Sequence, residues 1–147
     1  MKLQNKALTD RIIAAAIRVH TELGPGFLET MYEEALATEL TVAGIRFERQ
    51  KLLPVFYREH LIGEHRLDFV VERMVIVELK AISALEDIHF AIVRSYLKAA
   101  NLDDALLLNF ASTADCEARR PRIPPNDQRR SCPVIFLVSW ISDSNHG

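Results

Sequence analysis

Arg66-Leu67-Asp68-Phe69-Val70-Val71-Glu72-Arg73-Met74-Val75-Ile76-Val77-Glu78-Leu79-Lys80 is the stretch that decides the fold. Two runs of period two, rich in Val, Ile and Phe, flank a short break, which reads as a pair of β-strands joined by a tight loop. With Glu72 to Met74 as the loop, antiparallel pairing sets Val71 across from Val75, Phe69 from Val77 and Leu67 from Leu79, and one face becomes wholly apolar. On the other face Val70 meets Ile76, Asp68 meets Glu78 and Arg66 meets Lys80. A slip of one residue mixes the two sets, so the hydrophobic pattern selects this register.

The register has a chemical consequence. Residues directly opposite on an antiparallel pair have Cβ atoms only ~5 Å apart, so two carboxylates face each other with Lys80 beside Glu78. Like charges that close repel, and leaving them unpaired near a core costs several kcal/mol. A divalent cation removes the conflict: Mg²⁺ takes oxygen ligands, typically one or two carboxylates completed by water and phosphate. The plainer reading is a solvated ionic face made by Arg66, Asp68, Glu78 and Lys80. Against it, Glu78 and Lys80 sit in the most apolar strand of the chain.

Outward from the hairpin, apolar residues at Leu8, Ile12, Ala16, Val19 and Leu23, widened by Ile13 and Ile17, recur at helical spacing over about Asn5 to Leu23. Gly24-Pro25-Gly26 breaks that helix, and a second is expected from about Phe27 to Ala43, with Gly44 just past its end. Glu29, Glu33, Leu36 and Leu40 share one face of it, which brings two acids to the edge of the buried side; the helix dipole explains acids there equally well. Leu53, Val55, Tyr57 and Leu61 form short alternating runs with a turn near Arg58 to His60, and strands follow at roughly Glu64 to Val71 and Val75 to Lys80. Ser83 and Glu86 match a capping box, opening a third helix with Leu85, Ile88, Ile92, Tyr96 and Ala99 on one face and Asn101 at its end. Ala105 to Phe110 reads as a buried strand. Hairpin strands followed by one crossover helix imply a mixed sheet with helices packed against it, an α/β (α+β) architecture in the order ααβββαβ.

The chain of 147 residues has the size of one domain, and with 49% hydrophobic and 26% charged residues its composition is that of a soluble globular protein. Residues 1–122 are expected to form that domain and 123–147 a C-terminal extension, partly flexible. In the stretch after Phe110, prolines and clustered arginines (Arg119, Arg120, Arg122, Arg129, Arg130) read as an extended linker, mobile from about Ala111 to Pro133. Val134 to Ile141 is apolar again and fits an added strand or a contact in a homo-oligomer. The net charge of −2 argues against nonspecific coating of nucleic acid while leaving room for a local basic groove. Cys116 and Cys132 are too few for a disulfide framework and form no C-x-x-C pair, so they read as reduced thiols. No apolar run approaches a membrane span, and Met1 to Asp10 lacks the make-up of a secretory leader, so the expected location is the cytoplasm, with no membrane partner.

Gly26-Phe27-Leu28-Glu29-Thr30-Met31-Tyr32 fits G-x-x-E-x-x-Y, preceded by His20-Thr21-Glu22-Leu23-Gly24-Pro25. In order after it come Asp68-Phe69-Val70-Val71, Val77-Glu78-Leu79-Lys80, Tyr96-Leu97-Lys98 and Leu108-Asn109-Phe110. This ordered set, over roughly residues 5 to 122, resembles the GxxExxY protein family of the PD-(D/E)xK nuclease superfamily. The resemblance implies a restriction-endonuclease-like core and a Mg²⁺- or Mn²⁺-dependent phosphodiesterase acting on nucleic acid, DNA or RNA. It implies that Asp68 and Glu78 bind the metal, that the Leu79 carbonyl is a further ligand, and that Glu29 reaches the metal directly or through water. Lys80 would orient or deprotonate the attacking water and stabilise the phosphorane charge. Family members often carry Gln where this chain has Ile92; His89 is a candidate substitute on that helix, against the plainer reading of a helix-surface histidine with no role. The alternative is a non-catalytic module that keeps the fold and binds nucleic acid or protein: Ile92 and the near-neutral charge favour it, while Asp68, Glu78 and Lys80 favour the enzyme. Tyr32 and Tyr96 are expected to be packing residues whose hydroxyls find one partner.

Overall fold

The computed structural model describes residues 5–111 and the backbone of residues 134–139. The expected mobile linker and most of the C-terminal extension therefore lie outside the described residues. The apolar stripe of the first segment forms α1 (Lys6–Leu23), which buries Ile12, Ala15, Ala16 and Val19. Past Gly24 and Gly26, both in left-handed backbone that glycine adopts without steric cost, the chain enters α2 (Glu29–Val42), which buries Tyr32, Leu36, Ala37 and Leu40. A hairpin of long strands follows, β1 (Phe47–Tyr57) and β2 (His60–Val71), then β3 (Val75–Lys80), α3 (Asp87–Ala100) and β4 (Asp104–Asn109). The order ααβββαβ is as expected, although β2 begins at His60 and is one long strand.

The strands make one sheet in the order β1-β2-β3-β4-β5, where β5 is the backbone segment Val134–Ser139 paired antiparallel on β4. The sheet is mixed: β3 and β4 run parallel through the α3 crossover, and the other neighbours are antiparallel. Phe69, Val71, Val75, Val77 and Leu79 pack with α1 and α2 on one face. Leu67, Val70, Ile76, Ala105 and Leu107 pack with Val93 and Leu97 of α3 on the other. Each Val, Leu, Ile or Phe side chain among them, fully buried, contributes roughly 1.5–3 kcal/mol from apolar area removed from water. The turn end of the central hairpin is buried on both faces, whereas further along Arg66 is exposed, Asp68 and Lys80 are half-buried and only Glu78 is buried. Among the described residues no helix is long and apolar enough to cross a membrane.

Three sequence expectations are corrected here. Leu67 joins the α3 face, away from Phe69, at the point where the pairing with β1 skips Gln50 and Asp68. The third helix begins one turn later than the Ser83-x-x-Glu86 pattern suggests. Glu86 is itself the N-cap, and the reciprocal partner is His89, whose Nδ1 accepts the Glu86 N–H at 2.8 Å. Finally, α3 buries Val93 and Leu97 and leaves Ile88 and Ile92 exposed. Apolar residues lie nearly all round this helix, so spacing alone could not choose the face.

Candidate metal centre

The β2–β3 register is the expected one at Val71–Val75, Val70–Ile76 and Phe69–Val77, and there the ladder ends. One step further the same register would set Asp68 opposite Glu78, but the strands have parted, and the anticipated Asp68–Glu78, Leu67–Leu79 and Arg66–Lys80 pairs do not form. On the other side of β2, Arg49 pairs with Phe69 and Lys51 with Leu67, while Gln50 and Asp68 between them do not pair. Asp68 thus stands where two ladders open at once. A backbone N–H left over at such an opening needs an acceptor. The Leu79 N–H finds one in Asp68 Oδ2, at 2.9 Å.

Glu29, Asp68 and Leu79 line this opening, and Glu78 and Lys80 lie within electrostatic reach of Asp68 without lining it. Glu78 is only 6% exposed, and its Oε2 is buried with no hydrogen-bond partner. Its other oxygen has Lys80 Nζ at 3.5 Å, a long ion pair. Burial, and then the charge of Asp68, push the Glu78 carboxyl up to about 8, with Lys80 opposing. Asp68 is also raised, first by burial, while the Leu79 N–H pulls it back. Glu29, the first residue of α2, is exposed, yet partial desolvation raises its carboxyl; Lys80 and the Ala81 backbone N–H oppose that rise, and Asp68 adds to it. Asn109 fixes the chain just after Lys80, taking the Ile82 N–H at 3.2 Å and donating to the Ile82 carbonyl at 2.9 Å.

A small cavity of about 40 Å³ lies at this point, lined by Glu29, Thr30, Glu33, Gln50, Asp68 and Leu79. That is room for an ion or a few waters. The larger cavity of about 360 Å³ is elsewhere, between Arg46, Phe47, Glu48, Val70, Glu72 and Arg73, and holds none of these acids. Among the described residues no three His, Cys, Asp or Glu side chains already stand around a common point as a metal cage. A hard divalent cation does not require one, since two carboxylates with water and phosphate complete its octahedron. The buried Glu78 Oε2, which has no hydrogen-bond partner, is the donor that such an ion would satisfy. The residues present fit it.

Sequence reasoning missed Glu33, Gln50 and Tyr96 as neighbours of the site. Glu33 Oε1 accepts from Gln50 Nε2 across 17 residues, and Glu33 Oε2 is paired with Arg49 Nη2 at 3.1 Å. Glu33 had been placed on the right helix face, but nothing local to Gln50 marks it. Tyr96 packs edge-on against His65, and burial together with the charges of Glu78 and Asp68 pushes its hydroxyl up to about 12. His89 is occupied in capping α3. Tyr32 makes two hydroxyl bonds where one was expected: it donates to the Gly24 carbonyl and accepts the Phe27 N–H, and its ring stacks on Phe110 at 4.7 Å.

A family model of the PD-(D/E)XK nuclease superfamily matches residues 6–121. No curated protein and no solved structure is significantly similar to the chain.

Proposed function

The chain belongs to the PD-(D/E)XK nuclease superfamily, and from that premise we propose that it is a divalent-metal-dependent phosphodiesterase acting on nucleic acid. The observation that carries the proposal is the buried, unpartnered Glu78 Oε2 between Asp68 and Lys80, a cost that folding alone does not recover. Asp68 and Glu78 would hold Mg²⁺ or Mn²⁺, with the Leu79 carbonyl and Glu29 as further oxygen donors. The bound ion supplies Lewis acidity toward a phosphoryl oxygen and a water of lowered pKa.

The chain's own groups do the rest. Lys80, held beside Glu78, orients the attacking water or takes its proton, and its positive charge offsets negative charge that builds on the phosphorus centre. Asp68, fixed through Oδ2 by the Leu79 N–H, keeps Oδ1 turned to the cleft. Within the superfamily we place the chain in the GxxExxY family. The support is the structural sense its signature makes: the tyrosine of G-x-x-E-x-x-Y ties down the Gly24 to Phe27 loop that delivers Glu29 to the cleft.

The test is cleavage of a mixed panel of single- and double-stranded DNA and RNA with Mn²⁺ or Mg²⁺, with Glu78→Ala as control. Metal-dependent cleavage that disappears in Glu78→Ala is the expected result. Nucleic-acid binding with no cleavage under any metal would turn the assignment to a non-catalytic binding module.

A further inference from the structure

Among the described residues, six other than glycine have positive φ, and local structure accounts for five. Arg58 and Glu59 form the β1–β2 turn, Glu72 and Arg73 lie in the β2–β3 turn, and Asn101 caps α3. The sixth, Gln50 at φ 50°, lies inside β1 with paired residues on both sides. No turn or cap requires a left-handed residue there, and glutamine gains none of the tolerance that glycine or asparagine has for it. Such residues persist only where their surroundings hold them, and they concentrate at functional sites.

What the conformation achieves is visible in the side chain. A regular Gln50 would pair with Asp68 in the ladder; instead the pair is absent and the amide stands in the opening. Its Nε2 donates to Glu33 Oε1 and lies 3.5 Å from Asp68 Oδ1. Glu33 is anchored in turn by Arg49 Nη2, which also bonds Glu34 at 2.6 Å. A donor is thereby inserted between two acids that would otherwise face each other, and Asp68 is held from both sides, by the Leu79 N–H on Oδ2 and by this amide near Oδ1. At 3.5 Å the second contact is the looser of the two.

We propose that Gln50 is a positioning residue for Asp68, its left-handed backbone retained in mid-strand because it turns the amide in to bridge Glu33 and Asp68 at the metal centre. The inference rests on the metal-dependent reading above. Groups that orient a metal ligand typically matter about 10–100-fold in metal affinity.

The experiment is calorimetric titration with Mn²⁺, alongside metal-free melting curves, on the wild type, Gln50→Gly, Gln50→Asn, Glu33→Ala and the Gln50→Gly/Glu33→Ala double variant. Glycine suits the backbone at position 50, so the metal-free melting temperature should hold or rise, while Mn²⁺ affinity falls about tenfold. Asparagine, which tolerates the same backbone and keeps an amide on a shorter arm, should fall between. Because Gln50 and Glu33 act as one bridge, the double variant should lose little more than either single variant. A Gln50→Gly protein that binds Mn²⁺ as tightly as the wild type overturns this role and leaves the metal reading intact. If stability drops as well, the cycle decides, and additive losses of affinity overturn it. A wild type that binds no Mn²⁺ overturns the metal reading and this inference together.

Discussion

At the turn end of the β2–β3 hairpin, Val70, Val71, Val75 and Ile76 pair strand to strand and are buried on both faces of the sheet. A few residues along the same two strands the ladder stops, and Asp68, Glu78 and Lys80 gather around an opening that contains an unpartnered carboxylate oxygen. The two ends share one backbone and one register, and differ in what satisfies their polar groups. At the closed end the strands satisfy each other. At the open end a side chain takes over the work of a strand, as when Asp68 accepts the Leu79 N–H, and the groups left over are the ones available for chemistry.

If that division is right, damage to the open end should reach activity and spare the fold, and damage to the closed end should do the reverse. The largest expected effect is on cleavage. Lys80→Ala should lower the rate at saturating Mn²⁺ by about 10²–10⁴-fold, the usual weight of a positioned acid–base group. Its Mn²⁺ affinity should hold or rise, since a nearby positive charge has gone. Glu78→Ala should lose both metal and cleavage. Rates and calorimetric titration on the two variants separate these outcomes, and equal loss of affinity in both would make Lys80 part of the metal site itself. At the closed end, Ile76→Ala should cost about 2–5 kcal/mol by denaturant melting, with Mn²⁺ affinity of the folded protein unchanged.

The same division governs what could be read from the sequence. The bounds of β3, the three-residue loop and the register all follow from apolar alternation, because at the closed end burial is the only force choosing. The nearness of Glu78 and Lys80 to Asp68 follows from the same register, although the ladder stops one step before the anticipated Asp68–Glu78 pair. Leu67 packs on the α3 face, against the simple alternation, where the β1–β2 pairing skips Gln50 and Asp68, and no local pattern signals a left-handed glutamine. The start of α3 was misplaced because Ser83-x-x-Glu86 and Glu86-x-x-His89 offer the same reciprocal bonds one turn apart. Glu33, Gln50 and Tyr96 meet the site only through tertiary packing of α2, β1 and α3, which spacing along the chain does not encode.

A pH series sharpens the contrast at intermediate size. The Glu78 carboxyl is raised from 4.5 to about 8, so the folded metal-free protein binds that proton more tightly than the unfolded chain. The stability this contributes is present below the unfolded value and is lost as pH rises from 4.5 toward about 8. The slope is at most about 1.4 kcal/mol per pH unit for one group. Glu78→Gln, neutral throughout, should show a flatter profile in urea melts across that range, and saturating Mn²⁺ should restore the wild type at the upper end. Identical slopes in the wild type and Glu78→Gln would mean that Glu78 is not the buried acid of the open end.

The smallest effect tests Glu29, an acid that comes from α2 and not from the hairpin. Glu29 reaches the cleft from the start of α2, and the loop before it is tied by the Tyr32 hydroxyl to Gly24 and Phe27. Tyr32→Phe keeps the ring and its stack on Phe110 but leaves the Gly24 carbonyl and the Phe27 N–H without that partner. Both groups belong to a surface loop that water can reach, so the loss should be about 1 kcal/mol, the net worth of a typical hydrogen bond. Mn²⁺ affinity should fall less than in Gln50→Gly, because a looser loop moves only Glu29 and leaves Asp68 and Glu78 where the open ladder puts them. Stability is read by thermal or urea melting and affinity by titration on the same preparation. If Tyr32→Phe weakens Mn²⁺ binding more than Gln50→Gly does, then α2 governs the centre, and the open end of the hairpin is its floor, no longer its organiser.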